Sequence, residues 1–236
     1  VDRSIKSPNQ FIKTNIEGTQ VLLKKSLEYN IKKFVQISTD EVYGSLTETG
    51  KFKESDYLNP TNPYAASKAS ADLIVNSYYK TYNLKTNITR SSNNYGPYQY
   101  PEKIIPLFII KALRNEKLPL YGDGQNIRDW IYVKDNCRAI DLVMRKGKEG
   151  QVYNIGANNE KSNVMLSKTI LEILDKSYSL IKFVDDRAGH DFRYAIDAKK
   201  MRKTLNWKAD VEFSEGMIKT INWYLKNKKW WKDIIA

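Results

Sequence analysis

Two pairs of side chains in this sequence have the residue types and spacing that suit proton transfer. Tyr64 and Lys68 lie four residues apart at the start of a predicted helix, so both project from one face of it. A fixed ammonium beside a phenol favours the phenolate, so Tyr64 could act as a base. Asp40 and Glu41 are adjacent, and different surroundings can keep one carboxyl protonated and the other ionised. Such a pair supplies both an acid and a base.

Spacing alone does not make either pair specific. The Tyr-Lys spacing also occurs at Tyr29/Lys33, Tyr178/Lys182 and Tyr224/Lys228, where a surface pair is the simpler interpretation. Asp40 and Glu41 alone could equally form a solvated turn. Their position favours a site, because they directly follow a predicted buried strand, Lys33–Thr39. Ligands of open α/β sheets bind outside the carboxyl ends of such strands.

The elements around these residues alternate between strands and helices. Lys33–Thr39 and Thr86–Ser92 are predicted strands, and the small-residue-rich segment after Pro63 predicts a helix that ends near Tyr82. A strand, a helix and a strand at this spacing predict a βαβ unit and a doubly wound parallel α/β sheet. The other predicted elements are a loop at 1–5, helices at about 8–29, 104–115, 135–145, 166–174 and 213–226, and a strand at 151–155.

Composition narrows the classes of protein that this chain can be. Of its 236 residues, 41% are hydrophobic and 28% are charged, so it can bury a core and is not expected to be disordered. The net charge is +12, but the lysines are scattered without a nucleic-acid-binding signature, so no nucleic-acid partner is expected. Cys137 is the only cysteine, which predicts a core thiol and a cytoplasmic location. No apolar run is long enough for a membrane span.

Five motifs occur in order along the chain: Thr39-Asp40-Glu41-Val42-Tyr43-Gly44, Tyr64-Ala65-Ala66-Ser67-Lys68, Ser92-Asn93-Asn94-Tyr95-Gly96-Pro97, Ile127-Arg128-Asp129-Trp130 and Asp186-Arg187-Ala188-Gly189-His190-Asp191. Together they resemble the dTDP-glucose 4,6-dehydratases, which are extended short-chain dehydrogenases/reductases. The resemblance covers nearly the whole chain, from Val1 to about Leu225. Related epimerases and decarboxylases share the Tyr-x-x-x-Lys and Asn-x-Tyr-Gly-Pro elements, so the Asp-Glu pair is the most discriminating part.

The resemblance implies a reaction and a role for each candidate catalytic residue. NAD oxidises the glucose C4 hydroxyl, water is lost across C5 and C6, and hydride returns to C6. Tyr64 would take the C4 hydroxyl proton, with Thr39 sharing the hydrogen bond. Lys68 would lower the tyrosine pKa and hold the nicotinamide ribose. Glu41 would then remove the C5 proton, while protonated Asp40 protonates the departing C6 hydroxyl.

The resemblance also implies binding residues. Asn93 is expected near the nicotinamide and Asn94 near the diphosphate. The residues expected to hold the nucleoside diphosphate are Arg128, Asn163, Arg187 and His190, with Tyr121 stacking on the base and Tyr224 reaching the phosphates. Two alternatives stay open: Arg128 could form a local ion pair with Asp129, and His190 could make a structural hydrogen bond. A lone histidine without a neighbouring cysteine or second histidine predicts no metal site.

The expected architecture is a partial Rossmann-like, doubly wound parallel sheet with a smaller α+β substrate-binding domain. Residues 1–96 would form the C-terminal part of the dinucleotide-binding domain, and 97–236 mainly the substrate domain, with about 127–156 returning to the first sheet. The family's Gly-rich cofactor turn is absent from the sequence. We therefore expect a fragment of a longer product that begins after this turn.

Assembly and alternative functions follow from the same resemblance. The helices at about 8–29 and 64–82 would build a homodimer interface. One alternative function is that of a UDP-sugar epimerase, dehydratase or decarboxylase of the same superfamily. The other is a truncated, non-catalytic module that binds a nucleotide sugar or only dimerises.

Overall fold

The computed structural model describes residues 1–186 and 188–235. The helices are α1 (Asp2–Lys6), α2 (Pro8–Phe11), α3 (Gly18–Glu28), α4 (Pro63–Tyr82), α5 (Ile104–Leu113), α6 (Val133–Lys146), α7 (Asn163–Ile173), α8 (Lys199–Leu205), α9 (Phe213–Lys226) and α10 (Lys228–Ile235). The strands are β1 (Phe34–Thr39), β2 (Thr86–Ser91), β3 (Asn93–Tyr95), β4 (Leu118–Tyr121), β5 (Ile127–Tyr132), β6 (Gln151–Ile155), β7 (Glu160–Ser162) and β8 (Ile181–Val184).

The first sheet has three parallel strands in the order β1, β2, β6. Val152 of β6 packs against the apolar cluster that includes Leu23 of α3 and Val75 of α4. Its neighbour Tyr153 belongs instead to the cluster of α6 and α8. Adjacent side chains of a strand point to opposite faces, so helices cover both faces of this sheet. The predicted doubly wound α/β sheet is confirmed.

The remaining strands form two smaller sheets. In one, β5 pairs in parallel with β3 and antiparallel with β7, and in the other β4 pairs in parallel with β8. An apolar cluster that includes Phe108, Trp130, Leu166 and Met217 joins these strands to α5, α7 and α9. Of the residues at about 127–156 that were expected to return to the first sheet, β6 joins it and α6 packs against it, whereas β5 pairs with β3 and β7.

The strands of the first sheet end at one edge, and the candidate catalytic residues follow there. Thr39 of β1 is in register with Ser91 of β2, and Ser91 with Ile155 of β6. Beyond these ends the chain continues into a 3-10 turn over Asp40–Tyr43 and into β3. The sheet therefore brings the carboxylate pair and Asn93 to the same edge.

Two local predictions are wrong. The first residues do not form a loop, because Asp2–Lys6 is helical. Cys137 is exposed on α6 and is not a core residue. The buried side chains of that helix include Asn136, Ala139 and Val143, whose spacing of three and four residues leaves Cys137 outside the buried face.

The predicted helix over 8–29 is present as α2, a π-helical turn over Ile12–Glu17, and α3. Leu23 of α3 is buried, whereas Val21 and Leu22 are 52% and 59% exposed. The expected wide apolar face is therefore only partly covered within this chain.

Within residues 1–186 and 188–235, none of the helices is both long enough and apolar enough to cross a membrane.

Candidate active site

Thr39 ends β1 and begins the turn that carries the two carboxylates. Its hydroxyl oxygen accepts a hydrogen bond from the Glu41 backbone N–H and donates one to Asp40 Oδ1, both at 3.3 Å. The turn ends at Gly44, where φ is +88° and a Cβ would stand 2.4 Å from the Asn59 carbonyl oxygen. Only glycine fits this position without displacing backbone. The chain thus turns sharply at the strand end and buries Asp40.

Asp40 is 2% exposed, and its Oδ2 has no hydrogen-bond partner among the described residues. Burial raises the pKa of this carboxyl well above its usual range, and the charges of Glu41 and Asp129 raise it further. The Arg128 guanidinium and the Thr39 hydrogen bond oppose this increase to a smaller extent. The uncharged, protonated form of Asp40 is therefore favoured, which is the state that a general acid needs.

Tyr64 lies in the first turn of α4. The Asn62 side chain caps this helix by accepting a 2.9 Å hydrogen bond from the Ala65 N–H. One turn later, Lys68 Nζ donates a 2.5 Å hydrogen bond to the carbonyl oxygen of Ile37 in β1. Burial lowers the pKa of this ammonium. The cap fixes where α4 begins, and the lysine ties this first part of the helix to β1.

The Tyr64 phenol lies in the field of the two carboxyl groups. A hydrogen bond with Thr39 lowers its pKa, but burial and then the charges of Glu41 and Asp40 raise it by more. The lowering expected from Lys68 is therefore not what the structure shows. Part of the increase depends on the charge of Asp40, so protonation of Asp40 brings the Tyr64 pKa back towards its usual value.

A buried polar network behind the turn was missed by the sequence analysis. Arg90 Nε donates a 2.9 Å hydrogen bond to Asp72 Oδ2, which also accepts one from Ser38 Oγ. Arg90 NH1 donates to the Tyr43 hydroxyl, and that hydroxyl donates to Asn154 Oδ1 at 2.8 Å. Burial raises the pKa of Tyr43 to about 12. The available signal was an arginine inside a predicted buried strand, which requires a partner.

Asn93 and Asn94 lie on β3, next to the end of β2. Each has an Oδ1 that is buried and has no hydrogen-bond partner within the part of the chain that the structure describes. The strand leads into Gly96 at φ +146°, where a Cβ would stand 2.5 Å from Val133 Cγ1. Gln99 Nε2 then donates a 2.8 Å hydrogen bond to the Asn94 carbonyl oxygen. Two amide oxygens thus remain available to donors of a ligand.

Arg128 is buried on β5 and bonded mainly through backbone carbonyls. NH1 donates to the Ile127 and Phe192 oxygens, and NH2 donates to the Asp191 oxygen at 2.9 Å. The guanidinium carbon lies 4.2 Å from the centre of the Tyr194 ring. Because the charge of Arg128 also acts on Asp40, this arginine lies close to the catalytic pair.

The other predicted nucleotide-binding residues lie on α7, β4 and the loop after β8. Asn163 is the first residue of α7 and is buried. His190 Nδ1 and Asp186 Oδ1 are 2.6 Å apart, and the Tyr121 ring meets the histidine edge to face at 6.1 Å. Arg187 lies outside the described residues. Tyr121 and His190 are therefore brought together, as a base-stacking pocket would require.

Asp129 was considered as an ion-pair partner of Arg128 and Tyr224 as a phosphate-binding residue, and both make other hydrogen bonds. The Asp129 carboxylate accepts hydrogen bonds from the backbone N–H groups of Ala157 and Asn159, so it shapes the turn after β6. Tyr224 is fully buried in the apolar cluster of the smaller sheets, and its hydroxyl donates to the Gln99 carbonyl oxygen. The structure thus places Tyr224 behind the loop that follows β3, where it supports that loop and does not present a surface to phosphates.

The described residues contain no group of three or more His, Cys, Asp or Glu side chains that could hold a metal ion.

Comparisons with known proteins show which chains this one is similar to. The family model for GDP-mannose 4,6-dehydratase matches residues 1–220. The low-salt glycan biosynthesis protein Agl12 of Haloferax volcanii is 53% identical over 95% of this chain and 72% of its own length. A dTDP-glucose 4,6-dehydratase of Streptomyces antibioticus is 47% identical over 99% of this chain and 70% of its own length. A crystal structure of DesIV, the dTDP-glucose 4,6-dehydratase of Streptomyces venezuelae, contains NAD and dTDP. This chain matches it with a TM-score of 0.98 and 45% identity. The match covers 99% of this chain and 72% of that one.

Proposed function

The chain belongs to the GDP-mannose 4,6-dehydratase family, and we propose that it is a dTDP-glucose 4,6-dehydratase, an NAD-dependent hydro-lyase. The burial of Asp40 directly beside Glu41 at the end of β1, which favours the protonated form of Asp40, carries this proposal. Elimination of water moves protons at two carbon centres, so it needs an acid and a base side by side. An epimerase that only oxidises and reduces C4 has no step that uses this pair.

The residues present fit a dinucleotide at the edge of the first sheet. The buried oxygen of Asn93 requires a hydrogen-bond donor, which the nicotinamide amide or a ribose hydroxyl group provides, whereas Asn94 would face the nucleoside diphosphate of the substrate. Lys68 and Tyr64 would hold the nicotinamide ribose from α4. When bound, NAD accepts hydride from C4 of the sugar and returns it to C6. The nucleoside diphosphate would be held by Arg128, Asn163, Arg187 and His190, with Tyr121 against the base.

The proton steps belong to the side chains at the end of β1. Tyr64, hydrogen-bonded to Thr39, takes the proton of the C4 hydroxyl as that carbon is oxidised. The C4 ketone acidifies the C5 proton, which Glu41 removes. Asp40 gives its proton to the C6 hydroxyl, so the C6–O bond breaks and water leaves. As hydride returns to C6, C5 takes a proton back from Glu41, and exchange with solvent removes the proton that Tyr64 took and restores the one that Asp40 gave. The product is dTDP-4-keto-6-deoxyglucose, and NAD is not consumed.

The organisation and location of the protein follow from this function. The proposed dinucleotide-binding part comprises residues 1–96, and the proposed substrate domain comprises mainly 97–236, from which β6 returns to the first sheet. We propose a homodimer through the helices at 8–29 and 64–82, where Leu22 and Leu73 are 59% and 61% exposed. The proposed location is the cytoplasm, and the proposed partner is a nucleotide sugar, with neither nucleic acid nor a membrane involved.

The direct test is to incubate the holoenzyme with NAD and dTDP-glucose and to follow the mass of the nucleotide sugar. Loss of one water without net NADH is expected, and UDP-glucose is the control substrate. An unchanged mass with isomerised sugar would support an epimerase instead. Retained dTDP binding with no reaction on either sugar would support a non-catalytic module.

Separate variants of the two carboxyl residues test their roles. Asp40→Asn and Glu41→Gln should each lower dehydration by about 10²–10⁴-fold, because each removes one proton-transfer group. C4 oxidation, followed as a transient rise in NADH absorbance, should continue in both variants. If both variants still dehydrate dTDP-glucose at the wild-type rate, the assignment of Asp40 and Glu41 is wrong.

A further inference from the structure

Asp191 has a buried carboxylate that joins two segments distant in sequence. The residue is 6% exposed and lies at the end of the loop that follows β8. Its Oδ2 accepts a 2.5 Å hydrogen bond from Thr61 Oγ1 and another from the Tyr194 hydroxyl. A buried carboxylate held by two hydroxyl donors is well oriented, because each donor fixes one direction of approach.

Thr61 connects this carboxylate to the start of α4. It directly precedes Asn62, whose side chain caps the helix and whose carbonyl oxygen accepts a 2.9 Å hydrogen bond from the Ala66 N–H. Tyr64 lies two residues after the cap. A bond that holds Thr61 therefore restrains the first turn of the helix from which Tyr64 projects.

Tyr194 connects the same carboxylate to the other functional residues. Its ring is buried under the Arg128 guanidinium at 4.2 Å. Burial strongly raises the pKa of its hydroxyl, and the charge of Glu41 is the next largest cause. The hydroxyl is therefore a donor to Asp191 and lies within the field of the proposed catalytic base.

We propose that Asp191 is a positioning residue. Its carboxylate fixes two groups to the loop that binds the nucleotide. One is the helix that carries Tyr64, and the other is the Tyr194 ring beside Glu41. This assignment deepens the proposed dehydration and rests on it. Asp191 does not itself touch the reacting atoms; it holds the tyrosine that receives the C4 proton in register with a nucleotide bound through Arg128.

The contact between Arg128 and Asp191 uses the backbone carbonyl of Asp191 and not its carboxylate. Changing the side chain thus separates placement of the catalytic helix from nucleotide binding. In Asp191→Asn the charge is lost, so both hydroxyl bonds weaken. We expect kcat of the holoenzyme to fall about 10–100-fold, because a small misplacement of a reacting group is costly. The KM for dTDP-glucose and the Kd of dTDP should stay within about 3-fold of wild type.

Thr61 provides a matched pair of variants. Thr61→Val removes the hydroxyl donor at nearly constant volume, and Thr61→Ser keeps it. Thr61→Val should lower kcat about 10-fold, as expected for a positioning contact, whereas Thr61→Ser should match wild type. Thermal unfolding of all variants measures any loss of folding separately from the loss of rate.

A readout that does not depend on activity is hydrogen–deuterium exchange of the segment 60–67. Amides of Ala65 and Ala66 should exchange faster in Asp191→Asn and Thr61→Val than in wild type and Thr61→Ser. Unchanged exchange, a wild-type kcat in Asp191→Asn, or a loss of dTDP binding as large as the loss of kcat would each overturn the proposal. If the wild-type holoenzyme does not dehydrate dTDP-glucose but the exchange follows the expected pattern, the proposed function fails while the anchoring of α4 stands.

Discussion

Burial sets the protonation state of Asp40, and the same burial makes stability depend on pH. An unfolded aspartate titrates near about 3.9, whereas the pKa of buried Asp40 is raised well above this. Between these two pKa values the folded chain binds one more proton than the unfolded chain at this site. The contribution of Asp40 to the free energy of unfolding therefore falls as the pH rises through this window.

Asp40→Asn is expected to raise the Tm at neutral pH, because the neutral amide removes the cost of burying a carboxyl that is ionised in the unfolded chain. A gain of ~1 kcal/mol would appear as roughly 2–4 °C in a chain of this size. The gain should shrink as the pH falls below about 4, where the carboxyl of the unfolded chain also becomes protonated. Calorimetry across this pH range measures it, with exposed Asp141→Asn as the control. An equal Tm change at every pH would contradict the linkage.

The ion pair between Asp72 and Arg90 is a second residue-scale feature, since both side chains are almost fully buried. Asp72→Ala leaves the guanidinium without its carboxylate, so we expect a loss of about 3–5 kcal/mol in the free energy of unfolding. Urea denaturation of the holoenzyme measures this loss. Replacing both residues by leucine should cost less than Asp72→Ala alone. A larger loss in the double variant would show that packing, and not the unpaired charge, dominates.

Elements with strong local signals were predicted closely from the sequence. The segment Pro63–Tyr82 is helical as expected, because Asn62 and Pro63 are favourable at a helix start. The strand Gln151–Ile155 and the helix Phe213–Lys226 also have their predicted bounds. The three-residue strands β3 and β7 were missed, because each is defined by pairing with β5, which is distant in sequence.

The active site also has features that could be predicted from the sequence and features that depend on tertiary packing. Adjacent carboxylates after a buried strand could be recognised from the sequence, because the chain itself sets their spacing. The burial that raises the pKa values of Asp40 and Tyr64 comes from tertiary packing, so the sequence-based prediction of a lowered Tyr64 pKa was wrong. Tyr224 was misread for a related reason. A tyrosine in an amphipathic helix can project to a ligand or into a core, and only packing decides which.

Gly96 tests how the loop after β3 is held against α6. A Cβ there would stand 2.5 Å from Val133 Cγ1, and φ is +146°. Gly96→Ala should therefore lower the free energy of unfolding by about 1–3 kcal/mol, through the clash and the strained backbone. Adding Val133→Ala removes the clash but not the strain, so it should restore only part of the loss. Complete restoration would mean that the backbone conformation costs little.

At the scale of the whole molecule, α3 and α4, which pack against each other, both carry exposed apolar side chains. Val21 and Leu22 of α3 and Leu73 of α4 are each more than half exposed. Scattered surface leucines are normal, but a shared apolar surface on neighbouring helices is typical of an interface. The same helix α4 carries Tyr64, so a dimer formed there would also stiffen the support of the active site.

The proposed dimer predicts a specific response to charge on this surface. Leu22→Glu with Leu73→Glu places two carboxylates per chain where like copies would meet, so the holoenzyme should become monomeric. Ile218→Glu is the matched control, since Ile218 is also exposed on a helix but lies on α9. Sedimentation velocity measures the mass of each variant. If the double variant sediments as the wild type does, these helices are not the interface. If the double variant is monomeric, its kcat is lower and its Kd for dTDP is unchanged, then the interface stabilises α4 and the position of Tyr64. It then does not stabilise the nucleotide-binding loop.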